Sequence, residues 1–295
     1  MHFSDLKLIL KEAKVVGKLP KKKIKYISDH SKNVDKNTLL VVDQNKNFKV
    51  SFLKEAISKN LNTIITNRFL ENLSINQVIV RNLDNEVFKL LKLRQPYIPK
   101  VSVAITGTNG KTSSSWYLAQ ICKINKIPTK LTGTLGYFKN LKKNKDSQLT
   151  TPSNLDLCQF AYSSKKNKFS FISEASSHGL HQGRFNNFNV DIAAITNLSH
   201  DHLDYHKNYK SYVKSKMKLF NKILNTKGIA AINSRLKNYN SLKKYLMKKK
   251  NKIITFGSKD VYFYEDDNLY LYVFGKKYIL KKLELLNNIK KENLE

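Results

Sequence analysis

The sequence predicts an α/β fold: a mainly parallel sheet flanked by helices, preceded by a smaller mixed α/β unit. Three observations carry that expectation. Val101-Ser-Val-Ala-Ile-Thr-Gly-Thr-Asn-Gly-Lys-Thr112 runs from a β-branched, apolar stretch into a glycine-bounded turn and then a helix-compatible segment. From Lys100 onward the strand-then-helix rhythm repeats, with strand-like runs at 101–106, 169–173, 190–196, 228–232 and 253–256. Between the two units lies Gln95-Pro-Tyr-Ile-Pro99, whose two prolines forbid regular continuation. The expected domains are therefore 1–95 and 96–295.

The elements follow in order. Met1–Lys11 mixes apolar and charged residues and reads as an amphipathic helix, not a signal peptide. Residues 38–42 read as a buried strand, 52–58 as a helix and 63–66 as another strand. Past the linker, nearly every strand-like run ends in a polar, chemically loaded segment. In open parallel sheets ligands bind beyond the carboxyl ends of the strands. The loop at Gly107, the segment at Glu174, the segment after Thr196 and Asn233 are thus expected to line one crevice. Runs at 261–264, 269–274 and 277–280 alternate like a small antiparallel meander. The Lys/Asn-rich stretches near 139–147 and 237–251 read as exposed loops or helix faces, and no internal repeat is visible.

Composition bounds the function classes. The chain has 295 residues, of which 41% are hydrophobic, enough for two domains with cores of their own. Its two cysteines, Cys122 and Cys158, sit in apolar contexts and suggest a reducing compartment. No segment approaches the roughly 18 apolar residues of a membrane span, so no membrane partner is expected and the address expected is the cytoplasm. The formal net charge of +32 invites a nucleic-acid reading. The lysines, however, are spread along the whole chain among many Asn and Ile, with no arginine cluster, RNA-binding aromatic motif or zinc-finger spacing. Solvated lysine faces explain the charge, and no nucleic-acid partner is expected. A basic surface still attracts small polyanions.

The segments at the strand ends carry the chemistry. Gly107 and Gly110 let backbone N–H groups face a polyphosphate, Lys111 can reach terminal phosphates, and the Thr112 hydroxyl can ligate Mg²⁺. Ile105 stands where the strict phosphate-loop pattern has its first glycine. Glu174, at a strand end in Phe171-Ile-Ser-Glu-Ala-Ser-Ser-His-Gly-Leu180, suits a hard cation. Three histidines and two aspartates fall within the seven residues from His200 to His206. A zinc site from His200, His202 and His206 matches no common spacing, and an ATP-linked Mg²⁺ site suits the context better. Hydroxyls of Thr150-Thr-Pro-Ser-Asn154 can hold an anionic substrate or simply cap a helix. Arg184 offers a bidentate fork for a carboxylate or phosphate.

Together these segments resemble the Mur ligase family, the ATP-dependent amide-forming enzymes of peptidoglycan precursor synthesis, and within it the tripeptide-synthetase branch. The resemblance rests on Thr106-Gly-Thr-Asn-Gly-Lys-Thr112, Leu131-Thr-Gly-Thr-Leu-Gly-Tyr137, Thr150-Thr-Pro152, Glu174-Ala-Ser-Ser-His-Gly-Leu180 with Arg184, and Thr196-Asn-Leu-Ser-His-Asp-His-Leu-Asp-Tyr-His206. Tyr212-Val-Lys-Ser-Lys-Met-Lys-Leu-Phe220 is similar to the family segment bearing a carbamylated lysine, which falls on Lys216. Ala230-Ala-Ile-Asn233 is similar to a segment that packs near the adenine. The match is strong over about 95–235 and weaker over 1–95, where only Ser31 of His30-Ser-Lys-Asn-Val34 fits the uridine-site pattern.

The resemblance implies a uridine-binding N-terminal domain and a P-loop-type central ATPase domain. It implies that ATP phosphorylates the free D-glutamate carboxylate of UDP-MurNAc-L-Ala-D-Glu, and that an amino acid, meso-diaminopimelate being the commonest, attacks the acyl phosphate. ATP contacts fall on Gly107, Thr108, Asn109, Gly110, Lys111, Thr112, Ser113 and Asn233. Substrate contacts fall on Ser31, Thr150, Thr151, Ser176, Gln182 and Arg184. Mg²⁺ ligands fall on Thr112, Glu174, His202 and a carbamylated Lys216, with Lys111, Glu174, His202 and Lys216 in the catalytic roles.

Two departures qualify that expectation. Ser234-Arg235 replaces the acidic residues usual after Asn233, and Leu283-Glu-Leu-Leu-Asn-Asn-Ile-Lys-Lys-Glu-Asn-Leu294 looks like a degraded joint to the family's third, amino-acid-binding domain. The expectation is of weak or no complete ligase activity from this chain alone, with a separate C-terminal domain chain as a partner. Three alternatives stand beside it. A folylpolyglutamate synthetase-like ligase is disfavoured by the domain ahead of the ATP loop. A non-catalytic module that keeps ATP or UDP-substrate affinity is disfavoured by the intact Lys111, Glu174, His202 and Lys216. A basic nucleic-acid-binding protein predicts steeply salt-dependent DNA affinity.

Overall fold

The computed structural model describes residues 1–45 and 49–257, and the backbone of three further strands between 262 and 280. The chain divides into two compact units, one of 1–98 with 158–167 and one of 99–157 with 168–295. The sequence break at 95/96 lies close to the first crossing. The return of 158–167 to the first unit has no sequence signal.

In the first unit β1 (Lys14–Val16), β2 (Tyr26–Ser28), β3 (Thr38–Val42), β4 (Thr63–Thr66) and β5 (Asn76–Ile79) form one sheet in the order β1-β5-β4-β3-β2. β2 to β5 are parallel, and β1 is antiparallel to β5. All four residues of β4 are buried, as a strand covered on both faces requires. α1 (Leu6–Ile9), α2 (Val50–Ser58) and α3 (Leu83–Arg94) accompany the sheet. The amphipathic N-terminus is thus shorter than the sequence suggests: a 3₁₀ turn at Phe3–Asp5 precedes α1, and Phe3, Leu6 and Leu10 turn inward. Leu53 and Ala56 of α2 pack with Leu40, Val42, Leu61 and Ile64. The side chain of Gln159 extends the edge of β2, accepting from Ile27 N–H and donating to Ile27 C=O, both at 3.2 Å.

The second unit carries β6 (Val101–Thr106), β7 (Thr129–Gly133), β8 (Gly136–Lys139), β9 (Lys142–Lys145), β10 (Ser170–Glu174), β11 (Val190–Ile195), β12 (Leu224–Asn233) and β13 (Lys252–Phe256) in the order β13-β12-β11-β6-β10-β7-β8-β9. β13 through β7 are parallel; β8 and β9 add an antiparallel hairpin at one edge. Helices α4 (Lys111–Ile124), α6 (Ser177–His181), α7 (Leu203–His206), α8 (Tyr209–Lys218) and α9 (Tyr239–Lys248) connect the strands, and α5 (Asn154–Ala161) begins in this unit and ends in the 158–167 segment of the first. α4 packs Ala119 and Trp116 against Val103, Ile105, Leu131, Phe138 and Ile172, with Trp116 edge-on to Phe138 at 5.1 Å. The chain leaves β6 for β7 and β10 on one side, then crosses to β11 on the other. β6 therefore borders the topological switch, where the carboxyl ends of an open parallel sheet leave a crevice.

Two lysine-rich stretches resolve differently. The one near 237–251 becomes α9, as a helix face. The one near 139–147 contains β9, a strand exposed at every residue. β14 (Tyr262–Glu265), β15 (Asn268–Val273) and β16 (Lys276–Leu280) pair antiparallel in sequence order, the meander expected there. The joint expected at 283–294 lies outside the described residues. Among the described residues no helix is long and apolar enough to cross a membrane.

Candidate active site

β6 ends at Thr106 and the backbone turns through Gly107 (φ 150°) and Gly110 (φ 80°) into α4. Both glycines are required. A Cβ on Gly107 would sit 1.8 Å from Thr196 Oγ1, and Gly110 is the left-handed residue from which α4 starts. The first turn of α4 thus opens toward the crevice with its amide dipoles aligned.

Two ammonium groups converge on this loop. Lys111 Nζ donates to Gly107 O at 3.0 Å and Thr108 O at 2.8 Å. Lys216, from α8, is 1% exposed and donates to the same Gly107 oxygen at 2.6 Å. Burial lowers both amines, and Lys111 further lowers Lys216, which falls to about 7; Glu174 acts the other way on Lys111. A polyanion placed on the loop relieves this like-charge crowding.

Glu174, 1% exposed, ends β10 beside the start of α4. Thr112 Oγ1 donates to its Oε2 at 2.7 Å. Thr134 donates twice, from the backbone N–H to Oε1 at 2.9 Å and from Oγ1 to Oε2 at 3.1 Å. A Cβ on Gly133 would lie 1.9 Å from Glu174 Oε1, so the carboxylate fits only because that residue is glycine. Thr134 Oγ1 also reaches Thr150 Oγ1 at 3.2 Å. Thr151 Oγ1 donates to Glu174 O at 2.8 Å and meets Ser176 Oγ at 3.1 Å; Ser176 caps α6 through Gly179 N–H. Arg184 Nη1 donates to Thr151 O, and its Nε donates to Gln182 Oε1 at 3.0 Å.

The segment after β11 wraps the other side of the loop. Asn197 O accepts from Thr108 N–H at 3.1 Å, and Asn197 Oδ1 accepts from Asn109 N–H at 2.9 Å. Asn233, ending β12, donates to Thr196 O at 2.8 Å and accepts from Arg235 N–H at 2.9 Å. Beyond lies an aromatic cluster. His178 rests on Tyr205 at 4.0 Å and has His202 and His206 at 4.9 and 5.5 Å, while His181 Nδ1 meets Tyr205 OH at 3.0 Å. Burial, then the neighbouring histidines, lowers His178 and His206. His200 instead stacks on Tyr209 at 4.6 Å.

The structure therefore gathers most of the sequence-selected residues of this unit. Gly107 to Thr112, Glu174, Lys216, Thr150, Thr151, Ser176, Gln182, Arg184 and Asn233 share one connected network. Ser113 is exposed on the first turn of α4, and His202 belongs to the aromatic cluster, paired with Asp201 at 3.5 Å. Ser31 lies in the first unit, on a short turn at Ser31–Asn33. Sequence reasoning missed Gly133, Thr134 and Tyr212 as individual residues, although all three lie on motifs it singled out. Tyr212 is fully buried, its OH 2.7 Å from Thr108 Oγ1, and burial pushes its hydroxyl up to about 12.

A hard cation suits the oxygen donors here, a buried carboxylate with a threonine hydroxyl 2.7 Å away.

Comparison with known proteins agrees with the geometry. The family model described as the Mur ligase middle domain matches residues 105–293. A UDP-N-acetylmuramoyl-L-alanyl-D-glutamate--2,6-diaminopimelate ligase of Rickettsia bellii is 32% identical over 243 residues, covering 81% of this chain and 50% of the relative. The enzyme of that name from Rickettsia montanensis is 35% identical over 244 residues, with 80% and 50% covered. A UDP-N-acetylmuramyl-tripeptide synthetase 2 of Oceanobacillus iheyensis is 32% identical over 245 residues, with 79% and 49% covered. The chain thus spans about half the length of the curated relatives it matches. A solved structure of a UDP-N-acetylmuramoyl-L-alanyl-D-glutamate--2,6-diaminopimelate ligase shares the fold at TM-score 0.67 and 22% identity, over 95% of this chain and 59% of that one. The MurF ligase of Thermotoga maritima, solved in complex with ADP, superimposes at TM-score 0.57 and 18% identity, over 88% and 58%. With the glycine-bounded loop after β6, the buried Glu174 and the buried Lys216 brought together, and with a family model that matches residues 105–293, the chain belongs to the Mur ligase family.

Proposed function

We propose that the chain carries the ATP-dependent, carboxylate-activating half of a peptidoglycan precursor ligase acting on UDP-MurNAc-L-Ala-D-Glu. The observation that carries this reading is the convergence of Lys111, Lys216 and the Thr112–Glu174 pair on the loop at Gly107. In this reading the loop amides of 107–110 and Lys111 hold the triphosphate, and Asn233 lies toward the adenine. Thr112, Glu174, His202 and a carbamylated Lys216 would hold Mg²⁺, which neutralises charge on the transferring phosphoryl group. Both substrates are anionic, so the chain's own cations must offset their repulsion before the γ-phosphoryl passes in line to the D-glutamate carboxylate. The amine of an incoming amino acid, meso-diaminopimelate by analogy with the relatives' names, then displaces phosphate from the acyl phosphate and forms the amide. Lys216 is suited to carbamylation because only a neutral amine adds CO₂, and burial favours the neutral form at this position. Thr150, Thr151, Ser176, Gln182 and Arg184 would orient the muramoyl-dipeptide, and the first unit, including Ser31, would hold its uridine end.

The test is phosphate release by the purified chain with ATP, Mg²⁺ and UDP-MurNAc-L-Ala-D-Glu, with and without meso-diaminopimelate and bicarbonate. Release with tripeptide product supports a complete ligase. Release without product supports carboxylate activation here, with amine capture on a separate chain. A chain that binds no adenine nucleotide overturns the reading.

A further inference from the structure

Tyr212 has no role in the chemistry outlined above, yet it is among the largest fully buried side chains of the protein. A buried phenol needs a partner for its hydroxyl, since leaving one unmet costs about 1–3 kcal/mol. The partner is Thr108 Oγ1 at 2.7 Å, inside the phosphate loop. Thr108 Oγ1 also accepts from Ser199 N–H at 3.0 Å and has Ser199 O at 3.3 Å as a second acceptor, so either hydroxyl can donate in the shared bond. Tyr212 and Lys216 stand one helical turn apart on α8, on the same face, and grip consecutive loop residues, Thr108 and Gly107. Lys216 Nζ lies 4.6 Å from the centroid of the Tyr212 ring, so the tyrosine supports the lysine as well as the loop. The other wall of the ring is His206, edge-on at 5.5 Å, with Tyr209 at 6.2 Å.

We propose that Tyr212 is a positioning residue that pins the phosphate loop to α8 through Thr108 and so keeps the loop amides set for a nucleotide. A loop hinged on two positive-φ glycines has more backbone freedom than its neighbours, and a fixed anchor between the hinges removes it. The proposal rests on the function proposed above for its nucleotide, but not for the anchor itself.

Two measurements on the full chain separate the anchor from the function. The first is amide hydrogen exchange without nucleotide. In Tyr212→Phe the amides of Thr108 and Asn109, both bonded to Asn197, are expected to exchange about fivefold faster, the equivalent of one neutral hydrogen bond. The amides of α8 are expected to keep their protection, because the ring still packs. Unchanged exchange at 108–109, or equal loosening throughout α8, overturns the proposal. The second is ADP binding by calorimetry for wild type, Tyr212→Phe, Thr108→Val and the double variant. Each single variant is expected to bind about fivefold more weakly, and the double variant no more weakly than the weaker single. Additive losses overturn the Tyr212–Thr108 link. A wild-type chain that binds no ADP overturns the ligase reading, while the exchange result still decides the anchor.

Discussion

Gly133 sets the position of the buried carboxylate at the heart of the crevice. With Glu174 Oε1 only 1.9 Å from where a Cβ would sit, Gly133→Ala must expel the carboxylate from its bonds to Thr112 and Thr134. The expected outcome is a loss of Mg²⁺-dependent nucleotide binding of about tenfold or more together with a lowered melting temperature, since a buried carboxylate loses its hydrogen bonds, read by calorimetry and thermal unfolding. Lys216 gives a pH signature. Its amine titrates near 7 when folded and near the ordinary lysine value when unfolded, so between those values the unfolded chain binds the extra proton. Stability therefore rises with pH across that window, as the cost of burying an ammonium is relieved. Wild type is expected to gain melting temperature relative to Lys216→Met as pH goes from 7 toward 10. Parallel curves for the two proteins would refute the assignment.

At the scale of elements, α8 brings both Tyr212 and Lys216 to the loop, and its start is fixed by Asn208, whose side chain accepts from Ser211 N–H at 2.8 Å. Asn208→Ala is expected to cost about 1 kcal/mol of unfolding free energy and Asn208→Asp much less, measured by denaturant titration. Five of the six parallel strands of the second unit were legible in sequence because they are short, β-branched and close on a polar segment: 169–173 became Ser170–Glu174, and 253–256 became Lys252–Phe256, while β7 was not among the expected runs. β9 was not legible. Its residues, Lys142-Lys-Asn-Lys145, carry no apolar alternation, and only pairing with β8 makes them a strand. Lysines also suit that position, since charge on an open edge discourages pairing with another chain. β1, β2 and β5 were missed for a related reason: they are three or four residues long, and their pairing is set by neighbours distant in sequence.

At the scale of the whole molecule, Gly107, Gly110, Lys111, Thr112 and Glu174 were readable because phosphate chemistry demands particular residue types at strand ends, whereas Lys216, in the middle of α8, was singled out only by the family resemblance. Thr134 was not readable, because its role depends on β7 lying beside β10, a fact of topology. Cys158–Asn167 is the same lesson at larger size. Those ten residues sit between β9 and β10 in sequence yet belong to the first unit, and Gln159 satisfies both backbone groups of Ile27 there. The first unit is therefore modular in space but not in sequence. A polypeptide cut after residue 98 leaves the Ile27 amide and carbonyl bare on an edge strand. Expressed alone, residues 1–98 are expected to unfold at lower denaturant than the same fragment mixed with a peptide of residues 154–167, or to self-associate through β2. A gene rearrangement that tried to trade this unit as a single cassette would have to carry two separate pieces of coding sequence.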